Sequence, residues 1–198
     1  FTYLHFPYSF MGNKIYKALG EVSTKYSCLC ADDDFLSESG LREGLKFLEK
    51  NIDYASVQGN YIAFYASNPP DHYYSLYDNN TGYENSSVSI KTRLEDCYRV
   101  PQIYALHKTT VLKSCFEITV DISAITTVEM CIPLISLCFG KHKVLPVFWA
   151  ARDVNRYTRY TRYTRDTGVD NNSCSVVVTD WNEYLQSEEG RRFKDNFI

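Results

Sequence analysis

The chain has 198 residues, of which 44% are hydrophobic and 23% are charged, and its formal net charge is -3. A chain of this size and composition can bury its own core, which excludes a disordered polypeptide and a fold that depends on disulfides or a structural metal. The slight acidity argues against a basic nucleic-acid binder. The longest mostly apolar run, Cys131 to Phe139, is about half of what a membrane-spanning helix needs.

The first third of the chain predicts alternating strands and helices. Strands are predicted at residues 2–6, 27–31 and 54–65, and helices at residues 13–19 and 37–50. The second helix is amphipathic because Leu41, Leu45 and Leu48 recur at helical spacing, and Ser37 or Ser39 is expected to cap it. This alternation predicts an α/β fold in which helices flank one sheet.

The rest of the chain predicts a polar surface excursion at 67–89, followed by further strands and helices. Strands are expected at 102–105 and 144–151, and helices at 109–116, 128–139 and 181–197. Gly140 is the expected C-cap of the fourth helix in the chain. Between residues 156 and 165 the triplet Arg-Tyr-Thr occurs three times. Its period of three predicts a loop or an extended segment: an active-site lid, a patch for anionic lipids, or a solvated loop.

Seven cysteines are present, an odd number, and no Cys-x-x-Cys pair occurs. The spacing therefore indicates neither a zinc site nor a disulfide framework. Buried, reduced thiols in a cytosolic protein are the interpretation that follows. Cys28 and Cys30 are expected to share one face of the strand at 27–31.

Three consecutive carboxylates, Asp32, Asp33 and Asp34, follow that predicted strand. Their mutual repulsion raises their pKa values unless water or a cation compensates the charge. One interpretation is an exposed turn that caps the next helix. The other is a site for Mg²⁺ or Mn²⁺, which prefer oxygen ligands and need only one or two protein carboxylates beside substrate phosphates. The position favours a site, since ligands of open α/β sheets bind beyond the carboxyl ends of strands.

These carboxylates lie in the part of the chain that resembles a family of bacterial glycosyltransferases from capsule and O-antigen gene clusters. The resemblance is dense from Lys14 to Gly59 and looser from there to residue 155. It is carried by Thr24-Lys-Tyr-Ser-Cys-Leu-Cys-Ala-Asp-Asp-Asp-Phe35, by Gly40 to Glu49, by Asn51-Ile-Asp-Tyr-Ala-Ser-Val-Gln-Gly59, and more weakly by Tyr104-Ala-Leu-His107, Glu129 and Arg152.

The resemblance implies the GT-A fold, a Rossmann-like mixed sheet in a single domain over residues 1–155, followed by a loop and a helix over 156–198. Family members open with a strand, a helix and a strand that hold the nucleotide base. About sixty residues of that kind are expected before Phe1, so the resemblance implies that the domain is incomplete at its amino end.

For donor binding, the resemblance implies that Asp34 is the direct ligand of Mn²⁺ or Mg²⁺ and that Asp32 holds the ribose or a metal-bound water. Asp33 either faces the sugar hydroxyls or only caps the turn. Lys14 is a candidate for a phosphate contact, against the alternative of a solvated surface lysine. Arg152 is a candidate clamp for the diphosphate, because a guanidinium fork matches phosphate oxygens.

On the acceptor side, Glu129 is the candidate general base that takes the proton of the attacking hydroxyl. The alternative is an ordinary acid at a helix N-terminus. Gln58 and Gly59 are candidates for the sugar pocket, the glycine marking a strand bulge or a close backbone approach. His107 is either an acceptor contact or a core histidine whose hydrogen bonds are satisfied, and His142, between two lysines, is expected at the surface.

The function these residues imply is transfer of a sugar from a nucleotide-diphosphate donor to a hydroxyl of a surface glycan or lipid-linked acceptor. The expected mechanism is a metal-assisted single displacement that inverts the anomeric carbon. The alternatives are a sugar nucleotidyltransferase, which would carry a glycine-rich phosphate loop, and a glycan-binding module without catalysis. No nucleic-acid partner is expected. The expected location is the cytoplasm, with peripheral contact at the inner face of the membrane.

Overall fold

The computed structural model describes residues 2–7, 9–64, 73–75, 84–95 and 102–153. The helices are α1 (Met11–Gly20), α2 (Glu38–Lys50), α3 (Ile90–Glu95), α4 (Thr109–Ile118) and α5 (Ile125–Phe139). The strands are β1 (Tyr26–Ser27), β2 (Phe35–Leu36), β3 (Tyr54–Phe64), β4 (Tyr73–Ser75), β5 (Glu84–Asn85), β6 (Leu106–Lys108) and β7 (Lys141–Asp153). The Arg-Tyr-Thr repeat, the helix expected at 181–197 and most of the excursion at 67–89 lie outside the described residues.

The strands form one mixed sheet whose main path runs β1-β6-β3-β7-β2. The long strands β3 and β7 are parallel neighbours at its centre, and the other described pairings are antiparallel. Two short strands share each outer edge of this central pair: β6 and β4 pair with β3, and β5 and β2 pair with β7. This mixed α/β architecture confirms the fold class expected from the order of elements.

Helices cover both faces of the sheet. Val57 lies on the α2 side, where Gly44 allows Trp149 to approach so closely that a Cβ atom there would be 2.9 Å from the indole ring. Ser56, the preceding residue of β3, points to the other face and contacts Ser136 of α5, as expected because successive strand residues alternate between faces. Helices α1 and α4 pack against α5 on that second face.

Most of the long predicted elements are confirmed. The described helices α1, α2, α4 and α5 and the strands β3 and β7 all occur where the sequence predicts them, with small differences in their ends. Ser37 is the N-cap of α2, and its hydroxyl accepts a hydrogen bond of 3.2 Å from the backbone N–H of Gly40. Helix α5 ends at Gly140, but with φ of 174°. That extended backbone suits any residue, and the glycine is required because a Cβ atom would lie 2.8 Å from the backbone of Asp53 and Ala55.

Three short predicted strands are wrong in whole or in part. Residues 2–6 are not a strand; residues 4–7 lie beside α1. The strand expected at 27–31 is limited to Tyr26–Ser27, since β6 offers only two pairing positions there. The strand expected at 102–105 is a turn, closed by a hydrogen bond of 3.1 Å from the N–H of Ala105 to the carbonyl of Gln102, and β6 begins after it.

The structure also holds a short helix, α3, that the sequence did not predict. Its Arg93 is buried, with 6% of its surface exposed. The side chain donates hydrogen bonds to the carbonyl of Leu137, at 2.9 Å, and to the carbonyls of Ser87 and Val88. Leu137 lies in the last turn of α5, whose carbonyls have no partner inside the helix. Arg93 therefore provides a hydrogen-bond donor for a carbonyl at the C-terminal end of α5, and this bond links α3 to α5.

Within the described ranges, all five cysteines are free, as expected. Cys115 and Cys131 are buried, Cys28 is half-buried, and Cys30 and Cys138 are exposed, so burial holds for only part of the set. Among the same residues, no helix is long and apolar enough to cross a bilayer.

Candidate functional site

The pairing of β2 with β7 brings the acidic triplet to the carboxyl end of β7. Phe35 pairs with Ala151 in this antiparallel ladder, so the next position along it sets Asp34 opposite Arg152. Their side chains form an ion pair, with Arg152 Nε 3.4 Å from Asp34 Oδ2. Both side chains are largely shielded from water, with 5% of Asp34 and 17% of Arg152 exposed. The sequence thus nominated two residues, 118 positions apart, that are spatial neighbours.

Arg152 also links the Asp34 carboxylate to Glu129, near the N-terminal end of α5. Its guanidinium carbon lies 4.9 Å from the ring centroid of Tyr104. Burial raises the pKa of Glu129, and the positive charge of Arg152 acts in the opposite direction. Three residues nominated separately, Asp34, Glu129 and Arg152, therefore belong to one site. Glu129 lies in the second turn of α5, which begins at Ile125, so a contact with the N-terminal end of the helix does not explain it.

The other two carboxylates of the triplet face outward. Asp32 is exposed and Asp33 is half-buried. The triplet lies in a turn between β1 and β2, where the N–H of Asp34 donates to the carbonyl of Ala31 at 3.4 Å. It therefore precedes a strand, whereas the sequence placed it after one. Beside it, burial and the charges of Asp34 and Asp33 raise the pKa of the Cys30 thiol, which keeps that thiol protonated.

Lys14 lies elsewhere, on α1. It borders an open groove of about 330 Å³ between α1 and the chain before it, which is lined by Leu4, His5, Phe6, Pro7, Lys14, Ile15 and Ala18. None of the other candidate residues in the described part of the chain lines that groove. The structure therefore does not group Lys14 with the acidic triplet.

Gln58 and Gly59 lie inside the sheet. Gln58 is 2% exposed, and its side-chain oxygen accepts a hydrogen bond of 3.0 Å from the hydroxyl of Tyr61. Gly59 lies at a register shift of β3, as the expected bulge requires, and its close approach is to the backbone of Val147 in β7. These contacts are with the protein's own sheet, which gives both residues a structural role.

Both histidines of the sheet are fully buried. His107 bonds through Nε2 to the carbonyl of Gln102, at 3.0 Å, and burial lowers its pKa to about 4. It is the core histidine that the sequence left as one of two alternatives. The surface position expected for His142 is wrong: the residue has no exposed surface and its Nδ1 lies 2.8 Å from Ser56 Oγ. The imidazole lies beside Ser56, which faces α5, so the side chain is in the core between the sheet and that helix.

Sequence reasoning did not assign a role to Tyr104, although it lies in one of the resembling segments. Its carbonyl accepts a hydrogen bond of 2.8 Å from Nε1 of the buried Trp149, and its ring carries the guanidinium of Arg152. The available signal was its place in the segment Tyr104-Ala-Leu-His107, which carries part of the resemblance. The distance along the chain to Arg152 concealed it.

The donor set at this site suits a hard divalent cation. Among the residues that the structure describes, no group of three or more His, Cys, Asp or Glu side chains is placed to hold a metal. Mg²⁺ and Mn²⁺ do not need such a group, because one or two carboxylates suffice when water and phosphate oxygens complete the shell. The carboxylates of the acidic turn that could serve in such a shell are Asp34, which is paired with Arg152, and the exposed Asp32.

No family model matches the chain, and no curated protein matches it significantly.

Proposed function

We propose that this protein is a glycosyltransferase of the GT-A type that moves a sugar from a nucleotide-diphosphate donor to a hydroxyl group. One observation carries the proposal: at the carboxyl end of β7, Arg152 forms an ion pair with Asp34, and its charge also acts on the buried carboxyl group of Glu129. The reaction needs a positive group for the leaving diphosphate and a separate base for the acceptor. The site offers both, and three of its residues were nominated for these roles from the sequence alone.

Donor binding falls to Arg152 and the acidic turn. The guanidinium can present two N–H groups to phosphate oxygens, and the ring of Tyr104 behind it fixes its plane. Asp34 and Asp32 would hold Mn²⁺ or Mg²⁺, which when bound neutralises charge on the diphosphate. The ion pair with Asp34 also restrains Arg152. The clamp is thus prearranged before the donor arrives, which lowers the entropic cost of binding.

Glu129 is the proposed general base. The acceptor oxygen forms a bond to the anomeric carbon while the bond from that carbon to the diphosphate oxygen breaks. The bonding electrons leave with the diphosphate, and the acceptor's proton passes to Glu129. Burial raises the pKa of Glu129, which makes its carboxylate a stronger base than an exposed one. Attack opposite the leaving group inverts the anomeric carbon.

The class of acceptor rests on the sequence resemblance alone. It favours a hydroxyl of a growing surface glycan or of a lipid-linked sugar. Nucleotide sugars are cytoplasmic metabolites, and we propose that the reaction occurs there or at the inner face of the membrane.

The test is a thermal-shift panel with UDP, GDP, CDP and dTDP, each with and without Mn²⁺. A nucleotide at about 100 times its dissociation constant adds about 2.7 kcal/mol, which raises the melting temperature on the order of 5 to 10 °C for a chain of this size. We expect one nucleotide to give a metal-dependent shift that is lost in Asp34→Asn and in Arg152→Gln. Arg42→Gln is the matched control, since Arg42 pairs with Glu38 on the exposed face of α2.

The absence of a shift with every nucleotide would overturn the proposal. A shift with oligosaccharides that persists in Asp34→Asn would instead support a glycan-binding module.

A further inference from the structure

Behind the candidate site lies a group of polar side chains that are almost completely removed from water. Each is at most 2% exposed, and none is used in the proposed reaction: Ser56, Gln102, His107, Ser136 and His142. They come from β3, β6, β7, α5 and the turn before β6. Buried polar groups are costly unless they are hydrogen-bonded, so such a group has to be accounted for bond by bond.

The hydrogen bonds assign the tautomer of His107. The carbonyl of Gln102 can only accept, so Nε2 of His107, 3.0 Å away, carries the proton. Nδ1 is then an acceptor, and the hydroxyl of Ser136 donates to it at 3.4 Å. Acceptance at Nδ1 requires a neutral ring, which agrees with the low pKa that burial gives this histidine.

A second chain of hydrogen bonds ends on Gln102, the residue whose backbone carbonyl accepts from His107. The hydroxyl of Ser56 donates to the side-chain oxygen of Gln102 at 3.4 Å. The Oγ atom of Ser56 then accepts a hydrogen bond of 2.8 Å from Nδ1–H of His142. This leaves Nε2 of His142 as a buried acceptor, and that atom has no hydrogen-bond partner among the described residues. Gln102 therefore accepts from His107 through its backbone and from Ser56 through its side chain.

Gln102 begins the turn that carries Tyr104. The N–H of Ala105 closes the turn on the carbonyl of Gln102, at 3.1 Å. On its far side, Nε1 of Trp149 donates to the carbonyl of Tyr104 at 2.8 Å. The turn is thus held from two sides by buried donors, and its Tyr104 ring supports the guanidinium of Arg152.

We propose that Gln102 and His107 form a positioning pair that fixes the turn at 102–105 and, through Tyr104, holds Arg152 in place beside Asp34. His107 is accordingly a positioning residue and not an acceptor contact. The consequence for sugar transfer rests on the proposed function, whereas the structural statement does not. A buried lock of this kind keeps the guanidinium plane fixed without occupying the space in which a ligand binds.

The first measurement is the Arg152 Nε–H signal in ¹⁵N–¹H NMR spectra, assigned by its disappearance in Arg152→Lys. Three variants are compared. His107→Leu has no donor for the carbonyl of Gln102, and His107→Gln restores an N–H at the position of Nε2. Leu112→Ala removes buried volume from the core on α4 without removing a hydrogen bond. We expect His107→Leu to broaden or shift the Arg152 signal and His107→Gln to restore it. Leu112→Ala is expected to lower the melting temperature and leave the signal in place.

The second measurement is the affinity for inorganic pyrophosphate, followed on the same signal. We expect a dissociation constant at least about tenfold higher in His107→Leu than in the wild type, and within about threefold of it in His107→Gln and Leu112→Ala. Should His107→Leu fail to fold, His107→Phe replaces it, since a phenyl ring fills a similar space but has no donor for the carbonyl of Gln102.

An unchanged Arg152 signal in a folded His107→Leu or His107→Phe variant overturns the positioning role. If the signal responds as expected but neither pyrophosphate nor any nucleoside diphosphate binds the wild type, the positioning role stands and the proposed function fails. The two ideas can therefore be rejected separately.

Discussion

Gly59 lies so close to β7 that a Cβ atom on it would be 2.4 Å from the carbonyl oxygen of Val147 and 2.9 Å from the Val147 side chain. The register of the β3–β7 ladder shifts on both sides of this point. The glycine therefore sets the distance between the two central strands, whose far ends carry the candidate site.

Gly59→Ala is expected to destabilise the protein by about 1 to 3 kcal/mol, because the contact is with backbone that cannot move aside cheaply. Gly20→Ala is the matched control. Gly20 ends α1, and a methyl group on its Cα would have no other atom within 4 Å, so alanine there should stabilise the helix by roughly 0.5 to 1 kcal/mol. Urea unfolding of both variants checks the prediction, and equal effects of the same sign would contradict it.

Stability should fall as the pH falls below neutrality, because of the two buried histidines. Burial lowers the pKa of His107 from 6.5 to about 4 and that of His142 to about 3. Below pH 6.5 the unfolded chain therefore binds protons that the native state does not, and stability is lost until the pH reaches those lower values. Each histidine contributes a slope of at most about 1.4 kcal/mol per pH unit.

Unfolding free energies at pH 7, 6 and 5 measure that slope. His107→Gln should flatten it, whereas His5→Gln should not, because His5 is exposed. A wild-type slope that is identical in His107→Gln would show that this histidine is already charged or accessible in the native state.

Glu129→Gln should separate catalysis from stability. The raised pKa of Glu129 means that burial penalises its charged form, so its contribution to stability declines as the pH rises through the native pKa. An amide of the same shape removes that penalty. We expect the unfolding free energy at pH 7 to stay within about 0.5 kcal/mol of the wild type or to exceed it.

If Glu129 is the base, the same variant loses transfer activity by a factor on the order of 10² to 10⁴. Glu117→Gln, on the exposed face of α4, is the control for activity. Full activity in Glu129→Gln, measured once a donor is identified, would remove Glu129 from the mechanism.

Trp149→Phe tests the bond that anchors the turn from its far side. The change keeps an aromatic ring but removes the donor of the 2.8 Å bond to the carbonyl of Tyr104, and it leaves unfilled volume beside Gly44. We expect a loss of about 2 to 4 kcal/mol. Phe148→Leu, on the neighbouring residue that is 48% exposed, should change stability by less than about 0.5 kcal/mol. Thermal and urea unfolding of the pair provide the measurement.

Helical periodicity and long apolar runs were sufficient for the long elements. The leucines of α2 and the apolar residues of β7 mark them directly, since each element buries one face against the sheet. The two-residue strands β1 and β2 carry no such pattern, because their pairing depends on partners at least 80 positions away. Helix α3 is stabilised through Arg93 by contacts with α5, which no local propensity encodes.

For the candidate site, the sequence suggested which residues take part, but it did not show how they are arranged. Charge and resemblance nominated Asp34, Glu129 and Arg152, and the register of β2 on β7 then explains why two of them meet. For other residues the expected position differs from the structure because the sequence does not show that their side chains are buried. His142 was expected at the surface because it lies between two lysines, yet its side chain is buried beside Ser56. Gln58, placed in a pocket from its neighbours in the sequence, lies inside the sheet.

The parallel ladder at the centre of the sheet has a consequence for how the chain folds. Tyr54 pairs with Lys141, 87 positions later, and every residue of α5 lies between them. The entropy of closing so long a loop must be lost before the central pair gains any hydrogen bonds, which slows folding. Helices α1, α2 and α4 can form locally at once, but the central pair of strands, β3 and β7, cannot form until β7 has been synthesised. We therefore expect refolding in milliseconds to seconds, with the joining of β3 and β7 as its slow step.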